Sequence, residues 1–82
     1  MTPSPKNKGA LHFAAAKGDL QGLLRILEEG EATVDELDYD RRTALHVAAA
    51  NGLVGIMEAL LSRGADVRAE DRWGRTPLDE AV

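Results

Sequence analysis

The chain has 82 residues, a net charge of −4 and no cysteine, and these facts exclude several classes of protein. A chain of this length forms one small domain. The acidic balance argues against nucleic-acid binding, where a basic patch supplies most of the affinity. Without cysteine there is no disulfide framework and no thiolate metal site. No apolar run approaches the length of about 18 residues that a membrane span needs.

The first predicted element is a disordered tail over residues 1–8, which contain two of the three prolines and two lysines. The tail lacks the apolar stretch of a secretion signal. Together with the absence of cysteine, this favours a cytoplasmic protein.

Two pairs of helices follow, each closed by glycines that stop the helices. The first pair covers 10–17 and 20–28, and the second covers 44–50 and 53–62. In both pairs the second helix carries its apolar residues at helical spacing on one face. These residues are Leu20, Leu23, Leu24 and Leu27 in the first pair, and Leu53, Ile56, Met57, Leu60 and Leu61 in the second. Turn-rich connections follow each pair, and a last helix begins at Pro77, whose missing N–H costs nothing in a first helical turn.

The chain repeats itself with a period near 33 residues. Arg-Thr-Ala-Leu at 42–45 recurs as Arg-Thr-Pro-Leu at 75–78, and Asp38 recurs as Asp71. Such a period is typical of a helical repeat array, which stacks helix pairs and presents an extended face for binding. We expect a domain over 9–82, with one repeat at 9–37, a second at 38–70 and a partial third at 71–82.

The repeated segments resemble the ankyrin repeat. Residues 43–52 read Thr-Ala-Leu-His-Val-Ala-Ala-Ala-Asn-Gly, and residues 60–67 read Leu-Leu-Ser-Arg-Gly-Ala-Asp-Val. The family motif is Thr-Pro-Leu-His-x-Ala-Ala-x-x-Gly, later followed by Leu-Leu-x-x-Gly-Ala-Asp-Val. The resemblance implies an all-α solenoid of about two and a half repeats, in which helix pairs are joined by β-hairpin loops. It further implies protein binding without catalysis or a cofactor.

Residues 38–81 are similar, more narrowly, to the ankyrin segment at the C-terminal end of glutaminases. Similar strings accompany some ankyrin-linked kinases and plant potassium channels, where the ankyrin part is an accessory to another domain. Four departures from the motif stand out. Gly9 replaces the motif threonine, one residue is inserted after Gly30, Arg41 stands where the hairpin at the start of the second repeat should have glycine, and Asp79 replaces the motif histidine. A non-glycine at 41 has to tolerate an unusual turn, so that hairpin is expected to be wider or strained. We expect Gly74 to supply positive φ in the next hairpin, and Asp38 and Asp71 to be turn formers.

The two histidines, His12 and His46, have two interpretations. Metal binding or base catalysis is one, but two imidazoles without a cysteine partner make a poor zinc site. The resemblance implies the other: a motif histidine bonds the motif threonine and a neighbouring backbone group where hairpin and helix meet. We favour the second interpretation and predict no metal site.

The predicted protein-binding residues lie at the tips of the two hairpins and at the end of an inner helix. Tyrosine, tryptophan and arginine are enriched at binding hot spots. The alternative is that Trp73 packs across the neighbouring hairpin while the arginines keep the edge soluble. The predicted set is Tyr39, Asp40, Arg42, Arg72, Trp73 and Arg75, extended by Ala50 and Asn51.

A rival prediction concerns the C-terminal end of the array. The third repeat lacks its second helix, so the face formed by Ile56, Met57, Leu60 and Leu61 would be only partly covered. Arrays generally need about three repeats and a polar cap. This face could therefore support self-association, or dock on a fused domain such as that of an oligomeric glutaminase.

Overall fold

The fold is known from a computed structural model that describes residues 9–80. The tail predicted at 1–8 and the last two residues lie outside this range. The five helices are α1 (Ala10–Lys17), α2 (Leu20–Glu28), α3 (Ala44–Ala50), α4 (Val54–Ser62) and α5 (Pro77–Glu80). The predicted helices are confirmed, except that α4 begins one residue late because Leu53 is its N-cap. Within residues 9–80, none of these helices is both long and apolar enough to cross a membrane.

The helices form two layers. The first helices of the three repeats, α1, α3 and α5, pack side by side as an inner layer, and α2 packs on α4 in an outer layer. Alanines fill much of the space between them, including Ala15, Ala44 and Ala48, which are fully buried. Small side chains let helix backbones approach closely, which is why a core with little aromatic content still packs densely.

The outer helices bury one face and expose the other, as their periodicity predicts. Leu23 and Leu60 are fully buried and Ile56 nearly so. Two of the four residues expected to form an open C-terminal face, Ile56 and Leu60, are therefore unavailable to a partner. Met57 is only partly buried and Leu61 remains 42% exposed. The face is narrower than expected because α4 turns Ile56 and Leu60 toward the preceding helices.

The connections between repeats are hairpin turns without β-strands in residues 9–80. Each hairpin is closed by one backbone bond across its stem and one within its turn. In the first hairpin, Asp38 N donates to Arg42 O (3.1 Å) and Arg41 N donates to Asp38 O (3.0 Å). The stem is too short for a strand ladder, so the hairpin depends on side chains for the rest of its order.

Candidate protein-binding surface

Both hairpins are organised by an aspartate at their first position. Asp38 Oδ1 accepts hydrogen bonds from the backbone N–H groups of Asp40 (2.9 Å) and Arg42 (2.8 Å). Asp71 Oδ1 accepts the equivalent pair from Trp73 and Arg75, both at 2.9 Å. A short carboxylate that bonds backbone N–H groups ahead of it replaces the ladder that the hairpin lacks. The aspartates predicted as turn formers have that role here.

The fourth position of each hairpin requires positive φ. Gly74 adopts φ 78°, as predicted, and Arg41 adopts φ 62° at the equivalent place. Glycine reaches this region without steric cost, whereas an arginine Cβ crowds the backbone there. Among residues 9–80, Arg41 is the only non-glycine residue with positive φ. The unusual turn at Arg41 is confirmed, and the same two backbone hydrogen bonds close both hairpins.

A histidine joins each of the first two inner helices, α1 and α3, to the following hairpin. His12 Nε2 lies 2.7 Å from Arg42 O, and His46 Nε2 lies 2.8 Å from Arg75 O. We call the unit formed by residue 9, His12 and hairpin 38–42 the first joint. The unit formed by residue 43, His46 and hairpin 71–75 is the second joint.

In the second joint every polar atom of the imidazole is bonded. Thr43 N donates to His46 Nδ1 (3.0 Å), so Nδ1 is an acceptor and the ring proton sits on Nε2, which donates to Arg75 O. Thr43 Oγ1 lies 3.0 Å from the same Nδ1 and accepts from His46 N at 3.3 Å. The interpretation of His46 as a motif histidine is confirmed. A fully buried imidazole with these partners has no free lone pair for a metal or a substrate.

In the first joint the imidazole is only half satisfied. His12 Nδ1 is buried and has no hydrogen-bond partner among residues 9–80. Its counterpart in the second joint bonds threonine, and Gly9 has no side chain to offer. His12 therefore keeps the structural role through Nε2 alone.

The two hairpins are tied to each other at their tips. Arg72 N donates to Asp40 O at 2.8 Å, and the Arg72 guanidinium pairs with the Asp40 carboxylate at 3.2 Å. The backbone bond fixes the spacing of the tips, while the ion pair is exposed and contributes little stability. Two predicted binding residues, Asp40 and Arg72, are thus brought together by the fold.

The aromatic residues at the tips are largely uncovered. Tyr39 is 93% exposed and Trp73 is 63% exposed. The Arg72 guanidinium lies 5.4 Å from the centre of the Trp73 ring, within the same hairpin. Arg72 crosses to the neighbouring hairpin through its bonds to Asp40, and its guanidinium also faces the ring of Trp73, the residue to which the alternative interpretation assigned the packing across hairpins. Both rings are left available at the surface.

Arg42 and Arg75 converge on one carboxylate. Arg42 Nη1 lies 3.3 Å and Arg75 Nε 3.4 Å from Glu80 Oε2, and Arg42 also lies 3.7 Å from Asp71 Oδ2. Burial raises the pKa of Asp71, but bonds from the backbone N–H groups of Arg75 and Trp73, with the Arg42 charge, hold that pKa below its usual value. The Arg42 side chain is only 21% exposed and connects the second repeat to Asp71 and Glu80 of the third, so it acts as a brace between repeats.

Comparison with known proteins gives this architecture a family. A family model described as ankyrin repeats in three copies matches residues 11–82. The chain belongs to the ankyrin repeat family. The relatives include the serine/threonine-protein kinase VIK of Arabidopsis thaliana, 45% identical over 67 residues, which are 82% of this chain and 15% of that kinase.

Two further relatives confirm the narrower resemblance. The potassium channel GORK of Arabidopsis thaliana is 52% identical over 66 residues, covering 80% of this chain and 8% of the channel. The mitochondrial liver isoform of glutaminase from Rattus norvegicus is 42% identical over 73 residues, covering 88% of this chain and 12% of the enzyme. The chain therefore spans less than a fifth of the length of each of these relatives. Ankyrin repeats are in general modules for protein interaction.

Asp79 shows how the third ankyrin repeat departs from the other two. Its carboxylate accepts from Thr76 N (2.9 Å) and from the Thr76 hydroxyl (3.2 Å), the bonds that His46 makes with Thr43. These bonds lower the pKa of Asp79 below its usual value, the backbone bond contributing most. An ionised carboxylate cannot donate to a hairpin carbonyl as His46 Nε2 does.

The remaining predicted residues, Ala50 and Asn51, are exposed at the C-terminal end of α3. Asn51 is the C-cap of that helix, and its backbone N–H bonds the last turn. Their place in a binding surface stays a prediction, because exposure is the only feature of their side chains that supports it.

Two exposed residues, Phe13 and Arg41, lie outside the predicted set. Phe13 is 64% exposed on α1, with Lys17 Nζ 5.1 Å from the centre of its ring. It is equivalent in the repeat to Val47 and to Glu80, the residue that contacts the hairpin arginines. The equivalence of these three positions in the repeat is the sequence signal that could have identified Phe13. Arg41 is the second, because its position had been considered only for its turn.

An apolar groove lies on the other side of the third repeat. Its volume is about 500 Å³, and it runs between α4 and α5. Met57 and Leu61, the exposed remainder of the predicted open face, lie in its wall with Leu78, which is 74% exposed. The groove is lined by Leu45, Met57, Leu61, Val67, Arg68, Thr76, Pro77 and Leu78.

Proposed function

We propose that the chain is a non-catalytic protein-binding module whose partner contacts the hairpin edge. The hairpin edge is the surface formed by residues 39–42 and 72–75. Among its members, Tyr39 and Trp73 are the main anchors, with Arg72 and Arg75 beside them. The inner helices extend it through Phe13, Ala50 and Asn51.

The observation that carries this proposal is the combination of fixed backbone and free aromatic rings. The bond between Arg72 N and Asp40 O sets the distance between the tips. Tyr39 and Trp73 nevertheless leave most of their surface in water. Large rings on an ordered backbone lose little conformational entropy on binding, which is why such residues become hot spots. Neither ring is needed by the core, so the fold does not account for their presence.

The experiment compares two double variants in partner capture. Wild-type chain, Tyr39→Ala/Trp73→Ala and Leu20→Ala/Val54→Ala are immobilised, and captured proteins are identified and then titrated by calorimetry. The control pair removes exposed aliphatic groups at the starts of the outer helices, away from the hairpins. We expect the aromatic variant to lose about 2 kcal/mol or more of binding free energy and the control to lose less than about 0.5. Equal affinity of both variants for every captured protein would refute the proposal.

The apolar groove supports a second candidate function. In this alternative the chain is an assembly segment of a larger protein and contacts a second copy of itself, or a fused domain, through Met57, Leu61 and Leu78. Exposed apolar residues lining one groove are typical of an interaction site. The length of the relatives, each several times that of this chain, agrees with an accessory role.

Light scattering over a range of concentrations separates the two functions. The alternative, where the contact is with a second copy, predicts a molar mass that rises with concentration above 8.8 kDa. Leu61→Glu should abolish the rise and Leu20→Glu should not, although the two leucines are similarly exposed, at 42% and 40%. A constant mass for the wild-type chain would remove self-association from consideration.

A further inference from the structure

Arg41 has a positive φ, a backbone conformation that glycine adopts more easily than arginine. Its backbone N–H donates to Asp38 O at 3.0 Å, and Gly74 makes the equivalent bond to Asp71 O at 2.9 Å. The turn is thus formed equally well with glycine, which has no Cβ to crowd a positive φ. A side chain kept in a strained conformation is a reason to look for a function at that position.

The Arg41 side chain makes no polar contact that would stabilise the fold within residues 9–80. It is exposed and has no ion pair or side-chain hydrogen bond with any of these residues. Its neighbours on the hairpin edge differ, since Arg42 and Arg75 pair with Glu80 and Arg72 pairs with Asp40. Arg41 is therefore the arginine of the hairpin edge whose charge the described structure leaves unmatched.

The carboxylates nearest in sequence are already engaged. Asp38 accepts two backbone N–H groups and Asp40 accepts the Arg72 guanidinium. Arg41 is therefore an exposed arginine without an ion pair among residues 9–80, and it lies two positions along the chain from Tyr39, whose ring is exposed. A carboxylate beside an apolar group is the chemistry complementary to this pair.

We propose that Arg41 is a specificity-determining contact that binds an aspartate or glutamate side chain of the partner protein next to the Tyr39 ring. This inference rests on the proposed function of the hairpin edge. The chain as a whole carries a net charge of −4 and repels acidic partners at long range. An acidic side chain of a partner gains binding free energy only where it meets a local cation. Arg41 therefore determines where on the partner that side chain has to lie.

The test uses peptides selected from a random display library on the wild-type chain. Peptides that lose binding to Tyr39→Ala/Trp73→Ala define ligands of the hairpin edge. In each of these, every Asp and Glu is replaced by its amide, and affinities are measured for wild type, Arg41→Gln and Arg25→Gln. Arg25→Gln is the matched control, because it removes the same charge from an exposed arginine of α2.

We expect one acidic position per peptide to matter. Its amide should weaken binding to wild type by about tenfold and binding to Arg41→Gln by less than about twofold, and Arg25→Gln should behave as wild type. Arg41→Gly should show a higher urea midpoint of unfolding together with weaker peptide binding. If Arg41 had only a structural role, the urea midpoint and the affinity for the peptide would change in the same direction.

The outcomes distinguish this inference from the function it rests on. If edge-dependent peptides carry no required acidic group, or bind Arg41→Gln as tightly as wild type, the hairpin edge binds partners and the role given to Arg41 is wrong. If no selected peptide depends on Tyr39 or Trp73, the proposed function fails, and the inference fails with it.

Discussion

The two joints share one backbone design and differ in how completely it is satisfied. In the second joint, Thr43 and His46 bond each other through three contacts, and the imidazole then reaches the next hairpin. In the first joint, Gly9 replaces the threonine, and His12 retains only the bond to the hairpin, with its Nδ1 buried and unpaired among residues 9–80. The first joint, with Gly9 in place of the motif threonine, thus leaves one of the two imidazole nitrogens unbonded within residues 9–80 and keeps the same fold.

The hairpins of the two joints also differ in expected stability, and again the first joint is the less favourable one. Gly74 adopts positive φ without strain in the second hairpin, while Arg41 adopts it in the first. Two independent features therefore make the first joint the less stable one. The array can tolerate a less stable joint because neighbouring repeats share an interface.

The largest effect is expected at His46. We predict that His46→Ala destabilises the chain by about 3 kcal/mol, since it leaves buried partners unbonded and opens a cavity. His12→Ala should cost only about 1 kcal/mol, because one bond is lost and an unpaired nitrogen is removed with it. Urea unfolding followed by circular dichroism measures both. Equal losses for the two variants would mean that the two joints are equivalent.

Arg42 is expected to stabilise the second joint from the first hairpin. Arg42→Ala should cost about 1 kcal/mol, because it removes the brace to Glu80 and leaves the Asp71 carboxylate without its neighbouring cation. Arg63→Ala is the control, since it breaks an ion pair with Glu28 that is exposed and should contribute less than about 0.5 kcal/mol. If Arg63→Ala costs as much as Arg42→Ala, the brace has no special role.

Acid should act on the aspartates of the second joint and third repeat. The pKa values of Asp71 and Asp79 are lower in the folded chain than ordinary aspartate values. The folded state therefore binds fewer protons, and stability is fully present above the ordinary pKa of about 3.9 and is lost as the pH falls through the lowered values. The urea midpoint should stay level from about pH 7 to pH 5 and fall below about pH 4. Asp71→Asn should shrink that fall, and an unchanged fall would exclude Asp71 as a source.

The smallest effect is expected at the glycines in the first turns of α2 and α4. Gly55→Ala should stabilise the chain by about 0.5–1 kcal/mol, since a Cβ there meets nothing within 4 Å. Gly22→Ala should give no gain, because its Cβ would lie 2.3 Å from Asp19 Oδ2, and Asp19 caps α2 through Gly22 N. Thermal unfolding of the two variants is the measurement. A gain of equal size at Gly22 would show that the Asp19 cap contributes little.

The helices and hairpins could be predicted because the motif encodes them locally. The period of 33 residues, the helical spacing of leucines and the glycine stops each specify an element without knowledge of its neighbours. The strained turn at Arg41 was predicted in the same way, since its counterpart in the next repeat is glycine. His46 followed from the motif because its threonine lies three residues before it.

The remainder depended on contacts between repeats, which periodicity does not specify. Arg42 was predicted as a protein-binding residue at a hairpin tip, and its ion pair with Glu80, 38 residues away, could not be predicted from the sequence. Ile56 and Leu60 were expected at an open face, yet α4 turns them inward. The exposure of Phe13 depends on which side chains of the other repeats pack against α1. Whether Arg41 forms an ion pair depends on which carboxylates the stacked repeats bring near it.

The most direct test of unequal joints exchanges the residues at the fourth hairpin position. We predict that Arg41→Gly stabilises the chain by about 0.5–1 kcal/mol, from strain relief of about 1–2 kcal/mol less the entropy that glycine loses on folding. Gly74→Arg should destabilise it by a similar amount. Free energies of unfolding in urea for the two variants and wild type are the measurement. A less stable Arg41→Gly, or a Gly74→Arg as stable as wild type, would contradict the claim that the first joint keeps a strained residue where the second does not.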